Sequence, residues 1–229
     1  MKIGFDLISD LNLTQDDVFN WEGKATSLYC IIAGNISSDP RVVILVLNHL
    51  ARFYQGIFYV PGELEFQDCD DFDKRLRELG RYCKKIRNVA LLHHHVVIID
   101  GVAVLGANGW ITDRLTQSYD KIHDQRLQDF MYLRNSIEKL QKHLDVKKIL
   151  LISSSVPAHK LYFGEMNKEI ELLPELNMTL VMDSESKVSH WAFGTYKKIV
   201  DTTIDNVNYI SNPYIRNIPY WARRIDIET

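Results

Sequence analysis

The chain has 229 residues, 46% hydrophobic and 25% charged, with a formal net charge of −3, a length that suits one large α/β domain with a sizeable core and a balance that offers no overall basic field to nucleic acid or anionic lipid. Cys30, Cys69 and Cys83 are odd in number and lack C-x-x-C spacing, which argues against a disulfide framework or structural zinc and for thiols in a reducing compartment. Residues 3–13 are too short and too interrupted by charge for a signal peptide, and no run approaches the roughly 20 apolar residues of a bilayer span, so a cytoplasmic protein with no membrane partner is expected.

Residues 2–9 read as a short apolar strand and 27–33 as a second. After Asp39-Pro40, the apolar residues of 42–55 are too continuous for strand alternation and long enough for a helix, closed by Gly56. Residues 57–60 make a third strand. The stretch 70–86 carries Asp at its entrance, cations at its exit, and Phe72, Leu76, Leu79 and Cys83 on one face, as a helix does. Residues 89–105 read as strands joined at Asp100-Gly101, a hairpin signal. A long helix is expected over 120–144, from the recurrence of Ile122, Leu127, Phe130, Leu133, Ile137 and Leu140, and a buried strand over 147–152. The remainder predicts a helix at 165–173 and strands at 179–182, 189–193, 199–204 and 207–211. No repeat, low-complexity linker or Pro/Gly-rich boundary divides the chain, so residues 1–229 are read as a single domain of α/β class, two facing sheets flanked by helices.

Several of these strands end abruptly in polar loops: Ser9-Asp10-Leu11-Asn12-Leu13, Ala33-Gly34-Asn35-Ile36, Val60-Pro61-Gly62-Glu63-Leu64-Glu65, Ser153-Ser154-Ser155-Val156-Pro157 and Phe193-Gly194-Thr195-Tyr196-Lys197. That is the pattern of buried parallel strands delivering loops to a sheet's carboxyl edge. In order and interval the loops resemble those of the calcineurin-like metallophosphoesterases, a family that reads S-D-x-H-x, G-D-x, P-G-N-H-E, a strand ending in His before Pro, and G-H-x-H. The stretch 101–110, ending in Trp110, resembles that family's strand, turn and Trp, and Ser211-Asn212-Pro213-Tyr214 its closing segment. The resemblance spans nearly the whole chain and implies the calcineurin-like phosphoesterase layered sandwich.

It also implies a two-metal centre whose ligands are mostly replaced. Asp10 is kept, but Asn12 stands for a His ligand and Asn35 for the carboxylate that bridges both metals. Glu63 and Leu64 replace an Asn ligand and the catalytic His, Ser153 and Ser154 lie where His is expected, and Thr195 and Lys197 replace two His ligands. Two dications about 3.5 Å apart repel by roughly 19 kcal/mol even at an effective dielectric of about 20, so such a centre needs a bridging anion, which the Asn35 amide is not. An ammonium at Lys197 cannot ligate, and Leu64 cannot act as a general acid.

The expectation is therefore a pseudo-phosphoesterase, with no catalytic residue, no metal and no cofactor, and a vestigial site at Asp10, Asn12, Asn35, Glu63, Leu64, Ser153, Ser154, Thr195 and Lys197. An ion pair from Lys197 to Asp10 or Glu63 is expected to replace the metals' charge. The alternative is a phosphodiesterase or nuclease using one Mg or Mn ion held by Asp10, Asn35, Glu63 and Glu65, whose oxygens suit a hard cation; as turn and cap residues these side chains also have an ordinary structural use.

His93-His94-His95 reads as part of a strand, where alternate residues face opposite ways and leave at most two ligands on a face, so no metal role is expected. His159 and His190 lie near the fourth and fifth loops but off the family's ligand positions. The C-terminal segment interleaves Tyr214, Arg216, Tyr220, Trp221, Arg223 and Arg224, a composition that serves an interface, base stacking or simple packing. The function expected is a binding module for a protein partner, with a nucleotide or nucleic acid as the other ligand class.

Overall fold

The computed structural model describes residues 1–67, 69, 71–110, 119–158, 161, 178–182 and 186–229. In it the apolar runs become two mixed sheets packed face to face. The first has β1 (Lys2–Ile8), β2 (Tyr29–Ala33), β3 (Gly56–Val60) and β4 (Val89–Leu91) parallel to one another, with β11 (Arg223–Glu228) antiparallel outside β1. The second runs β5 (His95–Ile99), β6 (Val102–Ala107), β7 (Lys148–Ser153), β8 (Val188–Phe193), β10 (Val207–Ser211) and β9 (Val200–Ile204). Its four central strands are parallel, and β5 and β9 are antiparallel edges.

Strand alternation sorts the core into layers. Phe5, Leu7, Ile31, Phe58 and Val60 from the first sheet meet Val102, Val104, Leu150, Ile152, Ala192 and Ile210 from the second. On the outer face of the first sheet, Cys30, Ile32, Ile57 and Tyr59 pack on α1 (Pro40–Leu50) and α2 (Phe72–Cys83). On the outer face of the second, Ala103, Leu105, Ile149, Leu151 and Trp191 pack on Leu133, Ile137 and Leu140 of α3 (Tyr119–Gln141). The expected α/β layered sandwich is the fold observed.

Local chemistry explains most boundaries. Asp39 caps α1 by accepting from Arg41 N, with Pro40 in the first turn, and Asp71 caps α2 by accepting from Lys74 N. The turns at Asp100-Gly101 and Asp205-Asn206 have positive φ at both central residues, the geometry that matches the twist of a two-residue hairpin.

Four expectations need correction. The helix over 42–55 stops at Leu50, because Asn88 Nδ2 donates to the carbonyls of Ala51 (2.9 Å) and Tyr54 (2.6 Å) and so satisfies the chain as it leaves the helix. The run 89–105 breaks after β4: Leu92 N still donates to Tyr59 O (2.7 Å), and His94 then turns with φ 52°, carrying the chain from one sheet to the other. Residues 179–182 lie not in a strand but at a 3-10 helix, Met178–Val181, whose i, i+3 residues Met178 and Val181 are both buried in the core beside α3. Arg223 and Arg224, read as part of a surface tail, open β11, where Ile225 and Ile227 alternate inward opposite Phe5 and Ile3. The expected helix at 165–173 and His159 lie outside the described residues.

Burial lowers the pKa of His49, with Arg52 adding to it, and of His190, with Lys148 adding to it. His49 Nε2 accepts from Trp21 N (3.0 Å), which only an unprotonated ring nitrogen can do. With folded values below the ordinary 6.5, the stability these rings contribute is complete above that pH and is lost as pH falls through the folded values. Urea unfolding is expected to give a lower free energy at about pH 5 than at about pH 7.5, and His49→Gln is expected to shrink that difference.

Candidate functional site

The carboxyl ends of β1, β2, β3, β7 and β8 converge at one edge of the sandwich, and their loops are zipped together by main chain. Asp10 N donates to Gly34 O (3.1 Å), Asn12 N to Asn35 O (2.9 Å), Leu13 N to Ile36 O (2.8 Å) and Gly194 N to Ser153 O (3.2 Å). The approach is so close that a Cβ on Gly194 would run into the Ala33 carbonyl and one on Gly62 into the Asn35 side chain. Asp10, Asn12, Asn35 and Thr195 adopt φ of 55°, 47°, 58° and 56°. This left-handed conformation is sparsely used by residues other than glycine, and it concentrates at built sites.

Asn35 is the hub. Its backbone N–H points at Glu65, so the side-chain oxygen and nitrogen are sorted by their other neighbours. The Leu64 N–H can only donate, so Asn35 Oδ1 faces it at 3.0 Å. Asn35 Nδ2 then donates to Asp10 Oδ1 (2.8 Å) and to Thr195 Oγ1 (3.0 Å). Thr195 passes the connection on: its backbone N–H donates to Asp10 Oδ1 (2.9 Å) and its hydroxyl to Ser154 O (2.6 Å). Both amide hydrogens and the amide oxygen of Asn35 are thus engaged.

Glu65 is a second clamp. Its two oxygens accept from Gly62 N (2.8 Å), Asn35 N (3.1 Å) and Ile36 N (2.6 Å), tying the third loop to the second. Burial pushes its carboxyl above the usual range, against the pull of the Ile36 and Gly62 N–H groups. Glu65 entered the sequence reading as a possible cation ligand; its described contacts are those of a main-chain anchor.

The remaining residues divide. Glu63 is buried beside this network, whereas Leu64 is half-buried, and Asn12, whose amide bonds back to Asp10 O (2.6 Å), is exposed. Ser153 Oγ accepts from Trp191 Nε1 (2.9 Å) and donates to Ser155 O (2.6 Å), and Ser154 Oγ donates to Asn108 O (3.3 Å), so both hydroxyls serve the interior. Lys197 is exposed, and among the described residues no ion pair joins it to Asp10 or Glu63; the Asn35 amide and the Thr195 N–H donate to Asp10 Oδ1.

Above the network lies a cleft of about 370 Å³, walled by Asp10, Asn12 and Thr195 and rimmed by Lys197, Tyr214 and Arg216. Arg216 is held by Asp17 (2.9 Å). Of the aromatic and basic tail residues, Tyr220 turns its hydroxyl inward: it accepts from Ser9 N (3.1 Å) and donates to Asn212 O (2.5 Å), so the partly buried ring fastens the first loop. Arg223 pairs with Asp201 and Arg224 with Asp226, while Trp221 is 60% exposed. The roles of Glu65 and Tyr220 carry no sequence signal, since each depends on loops far apart in the chain.

No protein-family profile matches the chain and no curated protein sequence matches it. Solved structures do. Phosphopantetheinyl hydrolase from Mycobacterium tuberculosis aligns over 98% of this chain and 96% of its own at 14% identity, with a TM-score of 0.63. A putative 5'-nucleotidase from Staphylococcus aureus, in complex with α-ketoglutarate, aligns over 100% of this chain at 13% identity, with a TM-score of 0.57. The chain spans about half (51%) of that protein. At these identities the likeness shows a shared phosphoesterase-like fold and nothing about activity.

Because Asn35 satisfies three partners at once, Asn35→Asp removes both amide donors and sets a second carboxylate against Asp10. In the absence of divalent cations this variant is expected to lose about 1–3 kcal/mol of stability, read as a lower urea midpoint.

Proposed function

We propose that the protein is a catalytically inactive phosphoesterase-like binding module, whose cleft takes a segment of a protein partner. One observation carries the reading: at the position where the resembled family bridges two metals, Asn35 directs hydrogen atoms at Asp10 and Thr195 and gives its oxygen to Leu64 N. The residues present do not fit a two-dication centre. A bridging ligand must offer negative lone pairs, and here the group between Asp10 and Thr195 offers N–H bonds. Glu65, the best remaining carboxylate, already accepts from three backbone amides. The rim supports a binding role, since the exposed Lys197 stands with Tyr214 at the cleft and favours an acidic or phosphorylated partner segment, while Arg216 beside them shares its charge with Asp17. A cytoplasmic location is proposed on the same footing as the partner; among the described residues no helix is long and apolar enough to cross a membrane.

Purified protein supplied with Mg²⁺ or Mn²⁺ is expected to hydrolyse p-nitrophenyl phosphate and its bis ester no faster than Asp10→Ala does. Metal-dependent turnover that Asp10→Ala abolishes would instead establish hydrolysis with a single cation. A partner captured by the wild-type protein is expected to be lost by Lys197→Glu with Arg216→Glu.

A further inference from the structure

Outside the cleft, His93, His94 and Asp129 bring three metal-ligating side chains together, with one donor atom from each lying within 4.8 Å of the others. His93 and His94 do not belong to a strand, in which neighbours would point to opposite faces. They instead occupy the crossover between the two sheets, and the left-handed turn at His94 (φ 52°) brings both rings to one side, stacked with centroids 4.1 Å apart and planes at 17°. Asp129 reaches them from α3. It is fully buried, and its Oδ1 lies 2.7 Å from His94 Nε2 while its Oδ2 accepts from Gly109 N (2.9 Å). Tyr132 stacks on the His94 ring at 4.7 Å and holds its plane.

We propose that His93, His94 and Asp129 bind one borderline transition-metal dication, zinc in the first instance, with a solvent molecule or small anion completing the coordination. Two imidazoles and a carboxylate select zinc, nickel or copper over magnesium and calcium, which prefer oxygen. The geometry needs only side-chain adjustment. Donors about 2.1 Å from zinc stand roughly 3.4 Å apart at tetrahedral corners, so the 2.7 Å edge opens and an edge of at most 4.8 Å closes. Without the ion, a hydrogen shared by His94 Nε2 and Asp129 Oδ1 holds its place; on binding, the neutral ring carries its proton on Nδ1 and presents the Nε2 lone pair to the metal. The Gly109 N–H orients the carboxylate from behind, as second partners of metal ligands do. The site shares no residue with the cleft, so it does not rest on the proposed function.

The test is titration of chelator-stripped, full-length protein with zinc sulfate against a chromophoric zinc indicator. One equivalent is expected to bind, with His93→Gln and Asp129→Asn each weakening it about tenfold or more, and with millimolar Mg²⁺ failing to compete. Circular dichroism establishes that the variants are folded; should Asp129→Asn not fold, the partly exposed His93→Gln still decides. Cobalt(II) in place of zinc should give the visible absorption of a low-coordinate site without thiolate charge transfer. Cys69→Ser should leave binding intact, which separates this site from the one thiol that is not buried. Absence of stoichiometric binding, or binding that survives both His93→Gln and Asp129→Asn, would overturn the assignment.

Discussion

A carboxylate buried where parallel strands end must be met by hydrogen-bond donors or by a cation, and the loop edge of this sandwich is organised around that requirement. Asp10 and Glu65 are both buried, and both accept from N–H groups: the Asn35 amide and Thr195 main chain for one, three backbone amides for the other. These bonds fasten the loops that follow β1, β2, β3 and β8, and Thr195 Oγ1 brings in the loop after β7 through Ser154 O. The left-handed residues in these loops cost roughly 1–2 kcal/mol each, less for Asn and Asp. They persist because several bonds fix each one.

The close meeting of those loops imposes conditions further down. Gly62 and Gly194 lie where no side chain fits, against Asn35 and Ala33. Between the sheets, Gly106 is pressed against Val60 and Leu92, so the two sheets approach closely near the same edge. A layer of alternating apolar residues fills the rest of the interface. The Asp6 carboxylate, fully buried within β1, is handled in the same way, by Tyr54 OH (2.9 Å), Thr26 and Ser27. Neutral donors around buried carboxylates are the recurring device of this chain.

What the sequence made legible follows from which forces are local. Apolar runs ending in Asp, Gly, Pro-Gly or Ser marked β1, β2, β3, β7 and β8 to within a residue or two, because strand burial and turn chemistry are written side by side in the chain. The hydrophobic face of α2 and the positive-φ hairpins were readable for the same reason. β11 was missed: its Ile225 and Ile227 are too few for a pattern, and only pairing with β1, more than 200 positions away (Ile3 with Ile227, 227 − 3 = 224), makes it a strand. Residues 93–94 were misread because a single left-handed residue, His94, inverts the face argument. Of the candidate site, the residues were found but not their roles. Lys197 looked like the replacement for lost charge, yet a flexible exposed ammonium gains little over a short amide that reaches Asp10 within the protein. Glu65 looked like a ligand because a carboxylate's use as an anchor depends on N–H groups brought from another loop.

The two polar centres of the chain meet the same requirement with different chemistry, and the difference decides where a cation can be held. At the cleft, Asn35 and Thr195 turn hydrogen atoms toward Asp10, and these groups do not exchange their role at any ordinary pH. At the crossover, Asp129 is held from one side by a backbone N–H and from the other by an imidazole, which exchanges a hydrogen for a lone pair merely by changing tautomer. The two centres are joined by one turn. Asn108 donates from Nδ2 to Pro61 O (2.8 Å), beneath the third loop, and its carbonyl accepts from Ser155 N (3.0 Å), while the next residue, Gly109, donates to Asp129. An ion drawing Asp129 toward the histidines therefore acts on a carboxylate that anchors the same turn on which the cleft's third and fourth loops lean, so cation chemistry at the crossover bears on the cleft mechanically and requires no ligand within it.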